Sequence, residues 1–363
     1  MILDRYLARR FLRTFLRTLL VFFGIFALID LVEEVRRFSD DADGLWPLIG
    51  LTLLNVPAGL YGILPLVTII AAIAMFLGLA RSSELAVTRG SGRSALRALL
   101  GPSVVAALLG VVAVAAFNPI VAATSREYES RVGRLEGQES ALALSDDGLW
   151  LRQSGSSGPT VIRAERSNLD GTSLGGVTFL GFDRDGRPVQ RVEAQAAHLA
   201  SGGWTLTDAT VWPLDAANPE AGAQRHASLE LPSSLTADQI RDSFGTPSSI
   251  PIWELPRFIA RLEEAGFAAQ RHRVFLQMEL ALPAFLVAMV LVAAGFTMHH
   301  QRGRRTGTLV LAAILAGFAV YFLRNLSQVL GEAGQIPPAL SAWAPPLVAI
   351  GLSMGLLLHL EEG

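Results

Sequence analysis

The sequence predicts a polytopic α-helical membrane protein with six transmembrane helices and one inserted β-rich domain. Hydrophobic residues make up 51% of the 363 residues and charged residues only 17%, against about 25% charged residues in soluble globular proteins. The apolar residues form long runs near both ends of the chain and thin out between positions 125 and 272. Such runs match the roughly 20 residues that a helix needs to cross a bilayer.

Six apolar segments are long enough to be spans. They cover approximately residues 11–31, 61–80, 98–118, 274–298, 307–323 and 343–360. A basic amphipathic helix over residues 2–17 runs into the first span. Residues 46–57 precede the second span, and we interpret them as an interfacial segment with an aromatic anchor. The third span is expected to end at Asn118 and Pro119.

Arginine is unevenly distributed between the two sides of these spans. The N-terminal segment holds five arginines, the 81–97 loop four and the 299–305 loop three, whereas the loops on the other side hold two and one. Short cytoplasmic loops carry an excess of basic residues. Both termini should therefore be cytoplasmic, in the inner membrane of a Gram-negative bacterium, with the large insert in the periplasm.

The insert has the pattern of short β-strands separated by turns. The predicted strands are 160–164, 176–182, 188–194, 204–212 and 227–231. Turn sequences lie at 183–187 and 201–203. A strand about every ten residues is typical of a sandwich, a jelly roll or a curled sheet.

An amphipathic helix over residues 255–266 is expected to lead from the insert back to the membrane. Three regions follow from this pattern. They are an N-terminal membrane half at 1–124, a periplasmic jellyroll-like β domain with its closing helix at 125–272, and a C-terminal membrane half at 273–363.

Residue types that the sequence lacks exclude several chemistries. It has no cysteine, which excludes disulfides and thiolate catalysis. All 30 basic residues are arginine, and without lysine no Walker A loop can form. The six histidines show no metal-ligand spacing. We therefore expect no catalytic residue, no metal and no cofactor, and the net charge of −2 gives no sign of a nucleic-acid partner.

The loop after the second span carries a helix-capping pattern. Ser82 or Ser83 can cap a short helix with Glu84 in its first turn, and Gly90 can end it. A short capped helix in a cytoplasmic loop suits docking into a groove on a soluble partner. The alternative is an ordinary basic loop that sets topology.

Basic residues also occur at the opposite ends of two spans. Arg36 and Arg37 follow the first span, where their guanidinium groups could bind lipid phosphates or pair with nearby carboxylates. Arg324 follows the fifth span and raises the same question. Asp30, near the end of the first span, is either an interfacial residue or a functional charge inside the membrane.

Taken together, these segments resemble the LptF/LptG (YjgP/YjgQ) permease family over nearly the whole chain, with the N-terminus most similar to the LptG branch. The residues that carry the resemblance are 2–11 (ILDRYLARRF), 64–65 (LP), 80–87 (ARSSELAV), 89–92 (RGSG), 252–266 (IWELPRFIARLEEAG), 277–283 (QMELALP) and 334–338 (GQIPP). The family also has three spans, a periplasmic insert and three further spans.

The resemblance implies partners and a mechanism. The chain would pair with an LptF-like permease, an LptB-like ATPase dimer would bind the coupling helices, and an LptC-like protein would receive lipopolysaccharide. The substrate would enter from the periplasmic leaflet between spans one and five. The residues that would transmit the ATPase stroke are Arg81, Ser83, Glu84 and Leu85, within a coupling helix at about 81–92.

On the same resemblance, Arg36, Arg37 and Arg324 are the candidates for binding the lipid headgroup, and Asp30 stands where some family members carry a basic residue. Two rival functions remain at this point. The chain could be an ABC-type membrane subunit for another envelope lipid or a lipoprotein, or a membrane scaffold that transports nothing.

Overall fold

Long helices occupy both ends of the chain, and antiparallel strands lie between them in sequence. The computed structural model describes residues 2–38, 44–82, 84, 94–135, 142–145, 148–154, 158–167, 172–183, 186–200, 203–216, 218–233, 247–264, 268–298 and 306–362. The chain divides into two units. The membrane unit comprises Met1–Arg131, Ser248–Trp253 and Gln270–Gly363, and the β unit comprises Val132–Pro247 and Glu254–Ala269.

Nine α-helices are present in the described part of the chain. They are α1 (Ile2–Phe38), α2 (Leu45–Gly62), α3 (Leu64–Arg81), α4 (Ala95–Val112), α5 (Asn118–Leu135), α6 (Leu255–Glu264), α7 (Gln270–Thr297), α8 (Thr306–Glu332) and α9 (Pro338–Glu362). Helix α6 confirms the predicted amphipathic helix, and its apolar residues Leu255, Ile259 and Leu262 are buried. All the other helices belong to the membrane unit, apart from the last turn of α5.

Seven helices among the described residues are long and apolar enough to cross a membrane, one more than the six predicted spans. The additional helix is α2, which covers the segment interpreted as interfacial. Helices α2 and α3 are separated by Ile63 alone. The break has a local cause, because Pro65 lies in the first turn of α3 and has no N–H to donate to the preceding turn.

Helices α2 and α3 together run once along α1, in the opposite direction. The Asn55 side chain donates to Asp30 Oδ1 at 2.6 Å, and a Cβ on Gly59 would lie 2.9 Å from Phe26 Cδ1. Further along, Glu84 meets Arg10. As the chain advances from α2 through α3, its neighbours on α1 therefore recede towards the N-terminus. If α2 and α3 are counted as one pass, the seven helices correspond to the six predicted spans.

The third pass continues beyond the predicted end at Asn118 and Pro119. A π-helical turn, Ala113–Phe117, connects α4 to α5 without a break. Pro119 cannot donate a backbone hydrogen bond, and the carbonyl of Ala115 accepts instead from the indole N–H of Trp253, at 3.2 Å. The expectation that the proline ends the helix was wrong because a π-turn and a distant side chain accommodate it.

Helix α7 forms the centre of the membrane unit. In its most apolar stretch 72% of the residues are buried, compared with 6% in α1 and 11% in α8. Helix α4 approaches it so closely that a Cβ on Gly110 would lie 2.5 Å from Pro283 Cα. Helices α1 and α8 therefore present their apolar side chains outward, as the large exposed residues Leu20, Leu28 and Phe322 illustrate.

The β unit contains one seven-stranded antiparallel sheet whose strand order follows the chain. Its strands are β1 (Leu142–Ser145), β2 (Gly148–Ser154), β3 (Pro159–Ser167), β4 (Ser173–Phe182), β5 (Pro188–Ala200), β6 (Gly203–Pro213) and β7 (Gln224–Pro232). All five predicted strands are confirmed as parts of β3 to β7. The sequence reading missed β1 and β2.

The buried face of the sheet shifts by one residue partway along three neighbouring strands. In β6, for example, Trp204 and Leu206 are buried, but the next buried residue is Ala209. The residues at which the alternation changes are Gly176 in β4, Gln195 in β5 and Asp208 in β6. The pairing register is the same on both sides of these positions, so the change of face is a kink shared by the three strands, without an extra residue in any of them. It keeps apolar side chains on one side around Trp204 and Phe179, whose rings meet edge to face at 6.1 Å.

Two of these positions have a left-handed backbone. Gly176 has φ +61° and Asp208 has φ +52°, a region that aspartate tolerates better than most residues with a Cβ. The Arg225 guanidinium of β7 donates to both Asp208 carboxylate oxygens, at 3.0 Å each. This hydrogen bonding holds the pKa of Asp208 below its usual range, so the pair persists at neutral pH and is lost only on acidification.

Candidate functional site

Glu84, the central residue of the predicted coupling segment, is tied to the N-terminal end of α1. Its carboxylate accepts from Arg10 Nη1 at 2.7 and 2.8 Å and from the Tyr6 hydroxyl at 2.7 Å. The Ser82 hydroxyl donates to the same carboxylate at 2.7 Å. Led by the hydrogen bond from Arg10, these contacts lower the pKa of Glu84 to about 2, so the side chain is ionised at every physiological pH.

Of the other predicted coupling residues, the structure describes only Arg81. Arg81 is exposed at the end of α3. Ser83 and Leu85 lie outside the described residues, as does most of the predicted helix at 81–92. Ser82 follows the last residue of α3, and its single hydroxyl proton is shared between the Glu84 carboxylate and the Gly78 carbonyl oxygen, which lies 3.0 Å away. Within the described residues, the predicted coupling segment thus provides one carboxylate, that of Glu84, which is hydrogen-bonded to the N-terminal end of α1.

The C-terminal end of α1 carries two further interhelical contacts. Asp30 accepts from Asn55 of α2, and Glu34 accepts from the Tyr128 hydroxyl of α5 at 2.6 Å. Glu34 is buried, with 3% of its surface exposed. The Asp30 carboxylate thus joins α1 to α2.

Arg36 and Arg37 are both exposed at this end. The Arg37 guanidinium lies over the Phe38 ring, 4.9 Å from its centroid, and interacts electrostatically with Glu34. Arg36 makes no ion pair with any carboxylate in the described ranges, which leave out Asp40 and Asp41. Its guanidinium group is thus available to bind a group from outside the chain.

Arg324 lies in a different environment, on α8 and against α7. Its guanidinium is 5.4 Å from the centroid of the Phe285 ring and interacts electrostatically with Glu279 of α7. The structure therefore places Arg324 beside the buried carboxylate of Glu279.

A polar cluster that the sequence reading missed surrounds Glu279. This carboxylate is 4% exposed and accepts from the Tyr61 hydroxyl and from Asn118 Nδ2, the latter at 3.3 Å. Asn118 also accepts the backbone N–H of Ile252 at 2.9 Å. The available signal was an ionisable residue inside an apolar run, which in a membrane helix is costly unless the protein supplies a partner.

Comparison with known proteins identifies the family. The sequence profile described as "Lipopolysaccharide export system permease LptF/LptG" matches residues 5–359. The chain belongs to the LptF/LptG family. It is 25% identical over 370 residues to the lipopolysaccharide export system permease protein LptG of Escherichia coli K12, covering 99% of this chain and 98% of that protein.

A second relative of the LptF/LptG family gives the same picture. The LptG protein of Haemophilus influenzae is 24% identical over 364 residues, which cover 98% of both chains. The similarity thus extends through both halves of the membrane unit and through the β unit. Together with the membrane-spanning helices, it makes this LptF/LptG-family chain an inner-membrane protein and a permease subunit.

Removal of the Glu279 acceptor should destabilise this LptF/LptG-family chain. In Glu279→Leu, the Tyr61 hydroxyl and the Asn118 amide lose their acceptor in an apolar interior, at a cost of about 1–3 kcal/mol for each group. Glu279→Gln keeps a carbonyl oxygen and should be milder. Thermal unfolding of the full-length chain in detergent measures the difference.

The matched control is Glu33→Leu, which removes an exposed carboxylate from the same unit. We expect its midpoint to stay close to that of the wild type. If Glu279→Leu were as stable as Glu33→Leu, the cluster would not be a structural constraint.

Proposed function

We propose that this chain is a transmembrane subunit of the ABC transporter that extracts lipopolysaccharide from the periplasmic leaflet of the inner membrane and delivers it to periplasmic carriers. Its membership of the LptF/LptG family is the observation that carries the proposal. The relatives named above also favour this substrate over a different cargo or a scaffold that transports nothing.

The charge distribution along α1 supports an orientation. Five arginines lie near its N-terminal end, and Arg36 and Arg37 lie at the other. By the positive-inside rule, the N-terminal end, with Glu84 beside it, faces the cytoplasm, and six passes then return the C-terminus to the same side. The β unit, inserted after the third pass, is periplasmic.

Extraction of a lipid from a bilayer requires energy and an apolar path. Each CH₂ group moved from an apolar environment into water costs about 0.8 kcal/mol, so several acyl chains cannot leave unaided. The sequence has no lysine for a Walker A loop. ATP hydrolysis is therefore assigned to a separate LptB-like dimer.

We assign the contact with that ATPase to the region of Glu84. The residues of this contact are Arg81, Ser83, Glu84 and Leu85. Glu84 is ionised and 36% of its side chain is accessible, so it can accept a cationic group of the partner. Because Arg10 already holds the carboxylate, force applied at this point passes directly to α1.

The path for the substrate is assigned to the exposed faces of α1 and α8. These helices correspond to spans one and five, and their apolar side chains are little buried within the single chain. An LptF-like partner would supply the opposite wall. Arg36, Arg37 and Arg324 would attract the phosphates of the headgroup, with Arg36 the most available of the three, and the β unit would pass the lipid to an LptC-like protein.

Substitution of Glu84 should weaken association with the ATPase. Glu84→Ala removes a charged acceptor, and hydrogen bonds to charged groups contribute about 1.5–3 kcal/mol, so affinity should fall by at least about tenfold. Co-purification from mild detergent and titration with the LptB-like protein measure this. Membrane insertion should be unchanged.

Arg10→Gln is the matched control for this variant. It breaks the same intrachain ion pair but keeps the Glu84 carboxylate as an acceptor for the partner, so association should be retained. Equal losses in the two variants would mean that Glu84 only anchors α1.

Reconstitution tests the transport function. Proteoliposomes that contain this chain, its permease partner and the ATPase should release lipopolysaccharide in an ATP-dependent manner, and omission of this chain should abolish release. The double variant Arg36→Gln/Arg37→Gln should release phosphorylated substrate about tenfold more slowly, since two charge-assisted contacts are lost.

Two controls make the headgroup assignment specific. Arg134→Gln removes an exposed arginine from α5 and should have no effect on release. A lipid A substrate without phosphates should be released equally by the double variant and the wild type. An equal defect with both substrates would refute phosphate recognition by these arginines.

A further inference from the structure

The N-terminal end of α1 contains a cavity lined by arginines. Its volume is about 740 Å³, and Arg5, Arg9, Arg13 and Arg17 line it at intervals of four residues. All four side chains are exposed. None of them forms an ion pair with a carboxylate in the described part of the chain, whereas Arg10, which also lines the cavity, is paired with Glu84.

Four uncompensated guanidinium groups on one helix face repel one another, because residues four apart are neighbours on a helix. A bound anion would offset this repulsion. The other end of α1 differs, since Glu33 and Glu34 accompany Arg36 and Arg37 there, whereas Asp4 is the single acidic residue of α1 near the five N-terminal arginines. An external anion in the N-terminal cavity would therefore compensate the excess positive charge at this end.

The position of the cavity indicates the source of the anion. The 37 residues of α1 extend about 55 Å, well beyond the roughly 30 Å of the hydrocarbon core. Arg5 and Arg9 precede the predicted span at 11–31. Arg13 and Arg17 lie in its first two turns, from which their long side chains can extend to the headgroup layer. With the orientation proposed above, the four guanidinium groups lie in the headgroup layer of the cytoplasmic leaflet and on its aqueous side.

The surroundings of the arginines suit a lipid. Ala74 and Met75 of α3 contribute an apolar wall to the cavity. Further along α1, Leu16 and Leu20 are exposed by 51% and 71% and offer a surface to acyl chains. Thr14, also at the cavity, carries a hydroxyl that can hydrogen-bond to a phosphate oxygen.

We propose that this cavity binds the headgroup of an anionic phospholipid of the cytoplasmic leaflet, with a preference for one that carries two phosphates. Arginine binds phosphate through paired N–H groups, and basic pockets between helices on the cytoplasmic side hold such headgroups. The site rests on the proposed orientation. It lies at the opposite end of α1 from the arginines assigned to the transported lipid and holds that helix end beside Glu84.

Native mass spectrometry of the full-length chain in detergent, titrated with cardiolipin or with phosphatidylethanolamine, tests the proposal. The wild type should bind cardiolipin in preference to the zwitterionic lipid. Arg9→Gln/Arg13→Gln should lower cardiolipin affinity by roughly 30-fold, since each arginine near an anionic lipid surface contributes about fivefold. Arg9→Lys/Arg13→Lys should retain most of the affinity.

The matched control is Arg257→Gln/Arg261→Gln, which removes the same charge from two exposed arginines four residues apart on α6 and should leave cardiolipin affinity unchanged. Equal losses in the two double variants would overturn the site.

Competition by inorganic pyrophosphate tests the source of the phosphate, and displacement of cardiolipin by equimolar pyrophosphate would overturn the assignment to a lipid. Neither lipopolysaccharide nor the ATPase is present, so a failure of the transport assay leaves this result unaffected.

Discussion

A polar group inside a bilayer needs a partner from the protein itself, because no water is available there, and this constraint arranges the helices of the membrane unit. Asp30 and Glu34 join α1 to Asn55 of α2 and Tyr128 of α5. Glu279 joins α7 to Tyr61 of α2 and, through Asn118, to α5. Apolar packing alone would leave the helices free to rotate and slide, whereas each of these hydrogen bonds fixes a register.

Helix α1 connects the two ends of the membrane unit that we assign to energy and substrate. It is unbroken over 37 residues, tied to Glu84 at one end and to α2 and α5 at the other. We infer that a displacement of Glu84 by the ATPase reaches the Arg36 end through this rigid element. The two-part pass of α2 and α3 is different, since it is interrupted at Ile63 whereas α1 has no break.

The sequence was sufficient where the signal is local. Apolar runs of about 20 residues located the spans, and alternation located the strands β3 to β7. It failed where a distant residue decides the structure. The local sequence around Pro119 does not predict that Trp253 will donate a hydrogen bond to the carbonyl that the proline leaves without a donor. The shift of the buried face at Asp208 likewise depends on partners across the sheet. Likewise, a capping pattern singled out Glu84, but its partner Arg10 lies 74 residues earlier and became evident only in the fold.

The opposite placement of the Glu84 region and the β unit across the membrane is the central claim, and the absence of cysteine allows a direct measurement. Single cysteines at Ser82 and at Ser228, both exposed, can be treated with a membrane-impermeant maleimide in spheroplasts. The account predicts labelling of Ser228→Cys in intact spheroplasts and of Ser82→Cys only after permeabilisation. Labelling of both before permeabilisation, or of Ser82→Cys alone, would contradict it.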